Sequence, residues 1–432
     1  MNKNLIDGIF LSLRQLIPFS NIEVKSPEKK SADRKISTCQ KINSREFIIT
    51  INSILKNSIN VQVKRTRIDF SHNELKILKS IPELIDQLMD TNSTVFYTYI
   101  LKFCNRISFS DLISAYFLAA GSPDNLWPII NVLLILQELT DQKYEEQTCT
   151  SGFVFSLEPD IFIKSLTKTP YQFYPFTTKP KLDFSYFSSP ATYRYVDGRN
   201  SYYLVDRELN IHGVLRLTNP SSFTLVHRIG NRHLQSLIRD SGQKTLIAFS
   251  GIKEDIFVIF NLEQQLKWYK NNWIFRDRSL INTILKQFRF KAVLNEVFIN
   301  TLFALSELNS GSIILIPENE KNLPRVIGKI DNSQVGELLR KSIQCTNIYE
   351  LSLNNSLIGI LASDGLTTIS KNGLIISCGD IIDINYVKEK KLQGGGRSIS
   401  SITASYYGLA IKVSQDGDIS FFHQGECIFH LW

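Results

Sequence analysis

Two short stretches near the end of the chain carry residue types suited to nucleotide chemistry. In Gly394-Gly395-Gly396-Arg397-Ser398, three consecutive glycines let backbone N–H groups approach an anion closely. Arg397, Ser398, Ser400 and Ser401 add a charge and hydroxyl donors directly after them, which suits a triphosphate. In Ser363-Asp364-Gly365-Leu366 a carboxylate stands before a glycine, where it can hold a divalent cation or accept a ribose hydroxyl, as nucleotidyl transfer requires. Each stretch alone also fits a plainer role, a flexible loop for the glycines and an ordinary Asp-Gly turn for the carboxylate.

The elements that must position these residues follow from hydrophobic spacing. From Val293 onward helix and strand patterns alternate, the signature of an α/β layer structure. Phe298, Ile299, Leu302, Phe303 and Leu305 define a helix face, and residues 311–316 read as a buried strand of continuous apolar character. Residues 335–343 predict a second helix. Residues 357–362 read as a strand running into Asp364, and 373–377, 409–413 and 419–422 as further strands, the last two joined through Ser414-Gln415-Asp416-Gly417.

In order and spacing these landmarks resemble the diadenylate cyclase family, over Phe290 to Trp432. Gly311-Ser312-Ile313-Ile314-Leu315-Ile316 is similar to that family's first strand, and Asp364-Gly365-Leu366 to its Asp-Gly-Ala motif. Gly395-Gly396-Arg397-Ser398-Ile399 partly matches its Gly-Thr-Arg-His-Arg motif, and Val413-Ser414-Gln415-Asp416-Gly417 its Val-Ser-Glu-Glu strand end. The departures are Ser363 in place of a frequent His, Leu366 for Ala, Gly396 for Thr, Ser398 and Ile399 for the His and second Arg, and Gln415 for Glu. A partial arginine-histidine motif at Gly230-Asn231-Arg232-His233 lies before the Asp-Gly element and is read as chance. The resemblance implies a mixed-sheet cyclase-like domain that condenses two ATP into cyclic di-AMP and pyrophosphate. It implies Asp364 as the catalytic carboxylate, with Asp364 and Asp416 holding Mg²⁺ or Mn²⁺. Nucleotide contacts would come from Gly365, Leu366, Gly394, Gly395, Gly396, Arg397, Ser398, Ser414 and Gln415. In that family two protomers meet face to face, each presenting one ATP, so self-association is expected. The alternative is a degenerate pocket that binds a nucleotide without turning it over.

The preceding residues read as a regulatory front end. Ser71 with Glu74 has the capping-box pattern, and Leu75, Leu78, Ile81, Ile85 and Leu88 recur at helical spacing after it. Residues 111–120 and 125–139 predict two more helices, and 47–63 a strand-like stretch. The Pro-, Tyr- and Phe-rich residues 167–190 mark a linker. Beyond it, 192–195, 201–205, 213–217, 245–249 and 256–261 predict strands of a small sheet, followed by Trp268 and Trp273, which read as aromatic core or as a ligand-stacking platform, and a helix over 280–288. The expected layout is a mainly helical domain over 1–165 that senses an unknown signal, a β-rich middle unit over 166–289, and the α/β nucleotide-binding domain over 290–432.

Composition is consistent with this reading. With 432 residues, 43% hydrophobic and 11% aromatic, and a mean hydropathy of −0.06, the chain is expected to fold as several globular domains. A net charge of +8 leaves a modest basic excess, and the basic run from Lys25 to Lys41 lacks the interleaved aromatics of a strand-binding groove, so nucleic acid is not an expected partner. The cysteines at 39, 104, 149, 345, 378 and 427 form no CxxC pair and read as buried thiols of a reducing cytosol. The longest apolar run, 129–136, is far short of the roughly 20 residues a bilayer-spanning helix needs. A cytoplasmic location without a membrane span is expected.

Overall fold

The computed structural model describes residues 11–25, 37–52, 58–89, 108–119, 123–219, 234–250, 256–325, 334–383 and 395–431, apart from 15, 18, 145, 184, 187–191, 194, 235–236, 239–244, 260–263 and 270–271. The chain divides into two units, Met1–Pro220 with Leu234–Asp277, and Ser221–His233 with Arg278–Trp432.

In the first unit, β1 (Asn21–Lys25), β2 (Thr38–Asn43), β3 (Glu46–Asn52) and β4 (Ser58–Lys64) form an antiparallel sheet in the order β1-β4-β3-β2. Phe47, Ile49 and Ile51 of β3 and Val61 and Val63 of β4 stand at alternate positions and are buried, which gives the sheet one apolar face. These residues share one core with α1 (His72–Met89), α2 (Phe109–Leu118) and α3 (Pro123–Asp141). The front region is therefore sheet plus helices rather than mainly helical. β2 escapes a pattern reading because TCQKIN has too few apolar residues to alternate, and β1, NIEVK, alternates over only five residues. Two capping boxes start the helices. The Ser71 hydroxyl accepts from the Glu74 N–H at 3.1 Å while Glu74 accepts from the Ser71 N–H at 2.9 Å, and Ser108 with Asp111 repeats the arrangement.

After a two-residue ladder of β5 (Lys143–Tyr144) with β6 (Gln147–Thr148) comes the larger sheet of this unit. Its strands are β7 (Gly152–Ser156), β8 (Tyr171–Pro175), β9 (Ser201–Val205), β10 (Ile211–Leu217), β11 (Thr245–Ser250), β12 (Ile256–Ile259), β13 (Gln264–Tyr269) and β14 (Asn272–Asp277). They lie in the order β14-β13-β12-β11-β7-β9-β10-β8, with β7 and β9 parallel and the other neighbours antiparallel. The short α4 (Pro159–Ser165) follows β7. Part of the expected linker is strand β8. It is an edge strand, so Pro175 costs it no ladder bond inside the sheet. The expected boundary at 165/166 falls between two strands of one sheet. Thr192 and Tyr193 are helical rather than extended, so the strand expected over 192–195 is absent. Trp273 is fully buried and donates from Nε1 to Oδ1 of Asp111 at 2.8 Å, a core residue as read.

The second unit opens with α5 (Arg278–Gln287) and α6 (Ala292–Glu307), whose residues from Val297 to Ser306 are buried without a break. The helical unit boundary thus sits at Asp277, ahead of the expected 289/290. Its mixed sheet has the order β17-β16-β15-β18-β19-β20, built from β15 (Ser312–Pro317), β16 (Leu366–Ile369), β17 (Ile375–Asp380), β18 (Gly408–Val413), β19 (Ile419–His423) and β20 (Glu426–Leu431). β15 and β16 run parallel and the other neighbours antiparallel. All six residues of β15 are buried, as its continuous apolar run requires of an interior strand.

Between β15 and β16 lie α7 (Gln334–Ile343), α8 (Ile348–Leu353) and α9 (Ser356–Leu361). The last of these was expected as a strand. Leu357, Ile358 and Leu361 are buried while Gly359 is exposed, which is the spacing of one helix face. Asn355, left-handed at φ 64°, separates α9 from α8. The remaining helix, α10 (Gly396–Ala404), packs Ala404 with Ile313, Leu315, Ala410 and Phe422 of the sheet. Among the described residues no helix is long and apolar enough to cross a membrane.

Candidate functional site

The parallel pairing of β15 with β16 sets Ile313 beside Leu366, so both strands begin at the same end of the sheet. Antiparallel β18 finishes there with Val413 opposite Ser312, and β17 with Asp380 opposite Leu366. Four connections therefore converge: Gly311, residues 363–365, Gly379 with Asp380, and the turn 414–417. Asp364 follows α9 and precedes β16, so it stands at the start of a strand rather than at the end of one.

The N-terminus of α10 comes to this same sheet end. The guanidinium of Arg397 packs on Gly311, where an added Cβ would stand 2.7 Å from its Cζ. Arg397 Nη2 lies 3.8 Å from Oδ1 of Asp364. At that distance the two form an ion pair without a hydrogen bond, which leaves both groups able to bond a third molecule. Asp364 is 99% exposed and open to a ligand, while Arg397, at 39%, is held by its glycine platform.

The glycine run is partly helix rather than loop. Gly395 is the N-cap of α10, extended at φ −69° and ψ 166° with no side-chain cap, and Gly396, Arg397 and Ser398 form the first turn. Among the described residues nothing lies within 4 Å of where a Cβ would stand on Gly395 or Gly396. The Ser398 N–H turns back onto the Gly395 carbonyl at 2.9 Å, whereas the N–H groups ahead of it have no intrahelical acceptor and the helix dipole adds a positive end, so these two glycines leave an anion direct access to the backbone. Gly394 and the motif at 230–233 lie outside the described residues. Ser401 turns inward and donates to the Arg397 carbonyl at 2.8 Å, which removes it from the expected donors.

Leu366 is fully buried in the sheet core, so its side chain cannot touch a nucleotide. Gly365 is required twice over, by φ +99° and by the Asp380 carbonyl 2.8 Å from any Cβ added there. Ser414 closes the β18–β19 turn: its hydroxyl accepts from the Asp418 N–H at 3.0 Å, and its N–H donates to the Asp418 carbonyl at 2.8 Å. Gln415 and Asp416 are exposed on that turn. Among the described residues no three His, Cys, Asp or Glu side chains converge as a metal-holding group, so Asp364 and Asp416 gain no third protein ligand.

Lys412 is a residue the sequence reading missed. It donates to Oγ of Ser398 at 3.0 Å, placing a second cation behind the first turn of α10. Lys412, Ser420 and His430 form one row across β18, β19 and β20, and Ser420 Oγ lies 2.8 Å from His430 Nδ1. Burial pushes the His430 imidazole below its ordinary value, Asp418 opposes this, and Lys412 adds to the depression. Asp380 was missed as well. Burial raises its carboxyl above the ordinary range, partly offset by Ser377 and Arg340, and among the described residues its Oδ2 has no hydrogen-bond partner. The only signal for Lys412 was a lysine inside an apolar strand pattern. Of the cysteines, Cys149 is buried, Cys39, Cys378 and Cys427 are half-buried, and Cys345 is exposed, against the expectation that they are buried thiols.

No protein-family model matches this chain, and no curated protein is similar to it in sequence. The geometry of the site therefore carries the functional reading.

Proposed function

We propose that the C-terminal unit is a diadenylate cyclase-like nucleotidyltransferase that condenses two ATP into cyclic di-AMP and two pyrophosphates. One observation carries the reading: an exposed carboxylate, Asp364, stands 3.8 Å from Arg397 at a glycine-opened helix N-terminus. The triphosphate lies against Arg397 and the N–H groups of Gly395 and Gly396, with Lys412 behind Ser398 adding positive field. Asp364 accepts the hydrogen of the ribose 3′-hydroxyl and orients its oxygen. In each of two symmetric steps that oxygen bonds to the α-phosphorus of the opposite ATP, the bond to pyrophosphate breaks, and pyrophosphate leaves with the electron pair.

Mg²⁺ or Mn²⁺ fits this donor set only as a cation shared with the nucleotide, because Asp364 is a lone exposed carboxylate and such cations are commonly held by one or two carboxylates plus substrate phosphates. Bound there, it would neutralise phosphate charge. The reaction needs two nucleotides face to face, so a dimer of C-terminal units is part of the proposal, with the first unit as its regulator. A cytoplasmic setting follows from ATP as substrate.

A second reading, a nucleotide-binding module without turnover, is favoured by Ser398 and Ile399 standing where the family carries His and Arg. The test incubates the full-length protein with each nucleoside triphosphate and Mg²⁺ or Mn²⁺ and reads products by mass spectrometry, with Asp364→Asn alongside. Cyclic di-AMP from the wild type and none from the variant supports the enzyme. ATP binding by calorimetry without product selects the module. Neither product nor binding removes both readings.

A further inference from the structure

The register of the larger sheet aligns Tyr174 of β8, Val214 of β10 and Tyr203 of β9 in one row across three strands. Arg216 follows Val214 at the two-residue period and shares its face. With Tyr186 and Tyr195 as further walls, this row bounds a recess of about 460 Å³, within the size range of small-molecule sites. All of these residues belong to the first unit, so the recess is separate from the cyclase-like site and does not depend on its reading.

The rings are fixed before any ligand arrives. Tyr203 meets Tyr186 edge-on at 5.9 Å and Phe176 edge-on at 6.4 Å, and Phe153 stacks behind it at 6.1 Å. Its hydroxyl donates to the Thr192 carbonyl, which ties the crossing segment to the sheet. Such a box of rings accepts a flat apolar body at low entropic cost. The charge at the site decides which kind. Arg216 places its guanidinium 5.8 Å above the Tyr174 ring, and among the described residues no carboxylate pairs with it. A cationic ligand would meet this charge, whereas a carboxylate, sulfonate or phosphate would receive a planar, bidentate donor.

We propose that this recess binds a small planar aromatic anion, its rings packed among Tyr186, Tyr195 and Tyr203 and its acidic group on Arg216. The test titrates the full-length protein with anilinonaphthalene sulfonate and with phenylnaphthylamine, which has the same rings without the sulfonate, and follows fluorescence. The sulfonate dye binds one to one and saturably. Arg216→Gln weakens it about tenfold, as loss of a charge-assisted contact does, and leaves the neutral dye unchanged. Val214→Trp, which fills the recess, abolishes both. Tyr195 is 69% exposed, so Tyr195→Ala preserves the fold and weakens both dyes even if Val214→Trp misfolds by circular dichroism. Failure of the sulfonate dye to bind, binding indifferent to Arg216→Gln, or equal loss of both dyes in that variant overturns the proposal.

Discussion

The guanidinium of Arg397 rests on the bare Cα of Gly311, with Cζ 2.7 Å from where a Cβ would be. Gly311→Ala therefore displaces the arginine without removing its charge. Because the displaced group is the end of a flexible side chain, stability changes by less than about 1 kcal/mol, while ATP affinity falls. Arg397→Ala lowers ATP affinity by about 1.5–3 kcal/mol. The two changes act through one contact, so the double variant binds no more weakly than Arg397→Ala. Additive losses in calorimetry would show that Gly311 acts independently.

Symmetric condensation makes turnover depend on meeting of protomers. Specific activity should fall on dilution, with product formation rising more steeply than first order in protein. Constant specific activity across a hundredfold dilution of a sample monomeric by ultracentrifugation would remove the face-to-face mechanism.

Much of this site was visible in the sequence as types but not as a place. Asp364 and Arg397 announce themselves by their glycine neighbours, and β15 and β18 by apolar runs. Gly311 has no local signal and Lys412 only its place inside an apolar strand pattern, because their roles come from the α10 N-terminus docking at the sheet end. The run 357–362 was misread because six apolar residues fit a buried strand or a short buried helix equally, and burial on one face decides it. In the first unit, β13 and β14 hid behind Gln264, Lys267 and Arg276, polar residues that the fold nevertheless buries.

Arg65 and Glu74 are both fully buried, joined by Arg65 Nη1 to Glu74 Oε2 at 2.8 Å and by a second bond from Nη2, with the Arg65 guanidinium 4.6 Å over the Phe70 ring. Glu74→Gln leaves a buried guanidinium without its counter-charge and should cost about 3–5 kcal/mol in urea unfolding. Arg65→Met with Glu74→Leu removes both charges and should cost far less, chiefly the lost cap of about 1 kcal/mol. A double variant that loses more than Glu74→Gln would mean that the ring contact, not the ion pair, holds this corner.

His430 sets a pH dependence. Its folded value is depressed, by burial first, so the unfolded chain binds more protons as pH falls. The associated stability is present above the unfolded histidine value of about 6.5 and is lost as pH drops through the folded value. The thermal midpoint should fall between pH 8 and pH 5.5 on the order of a few degrees, and His430→Gln should flatten that fall. Parallel curves for the two proteins would assign the acid sensitivity to another group.

β7 has a consequence for the order in which the molecule is made. Val154 at its centre must pair with Leu204 on one side and Ile247 on the other. Until the chain has been synthesised past β11, one flank of an almost wholly apolar strand is an unpaired edge, and closing so distant a pairing is slow. The nascent front unit thus carries a sticky strand for as long as the ribosome takes to reach its partner, which makes it a natural client for a chaperone and a point where a translational pause would lower the yield of native protein.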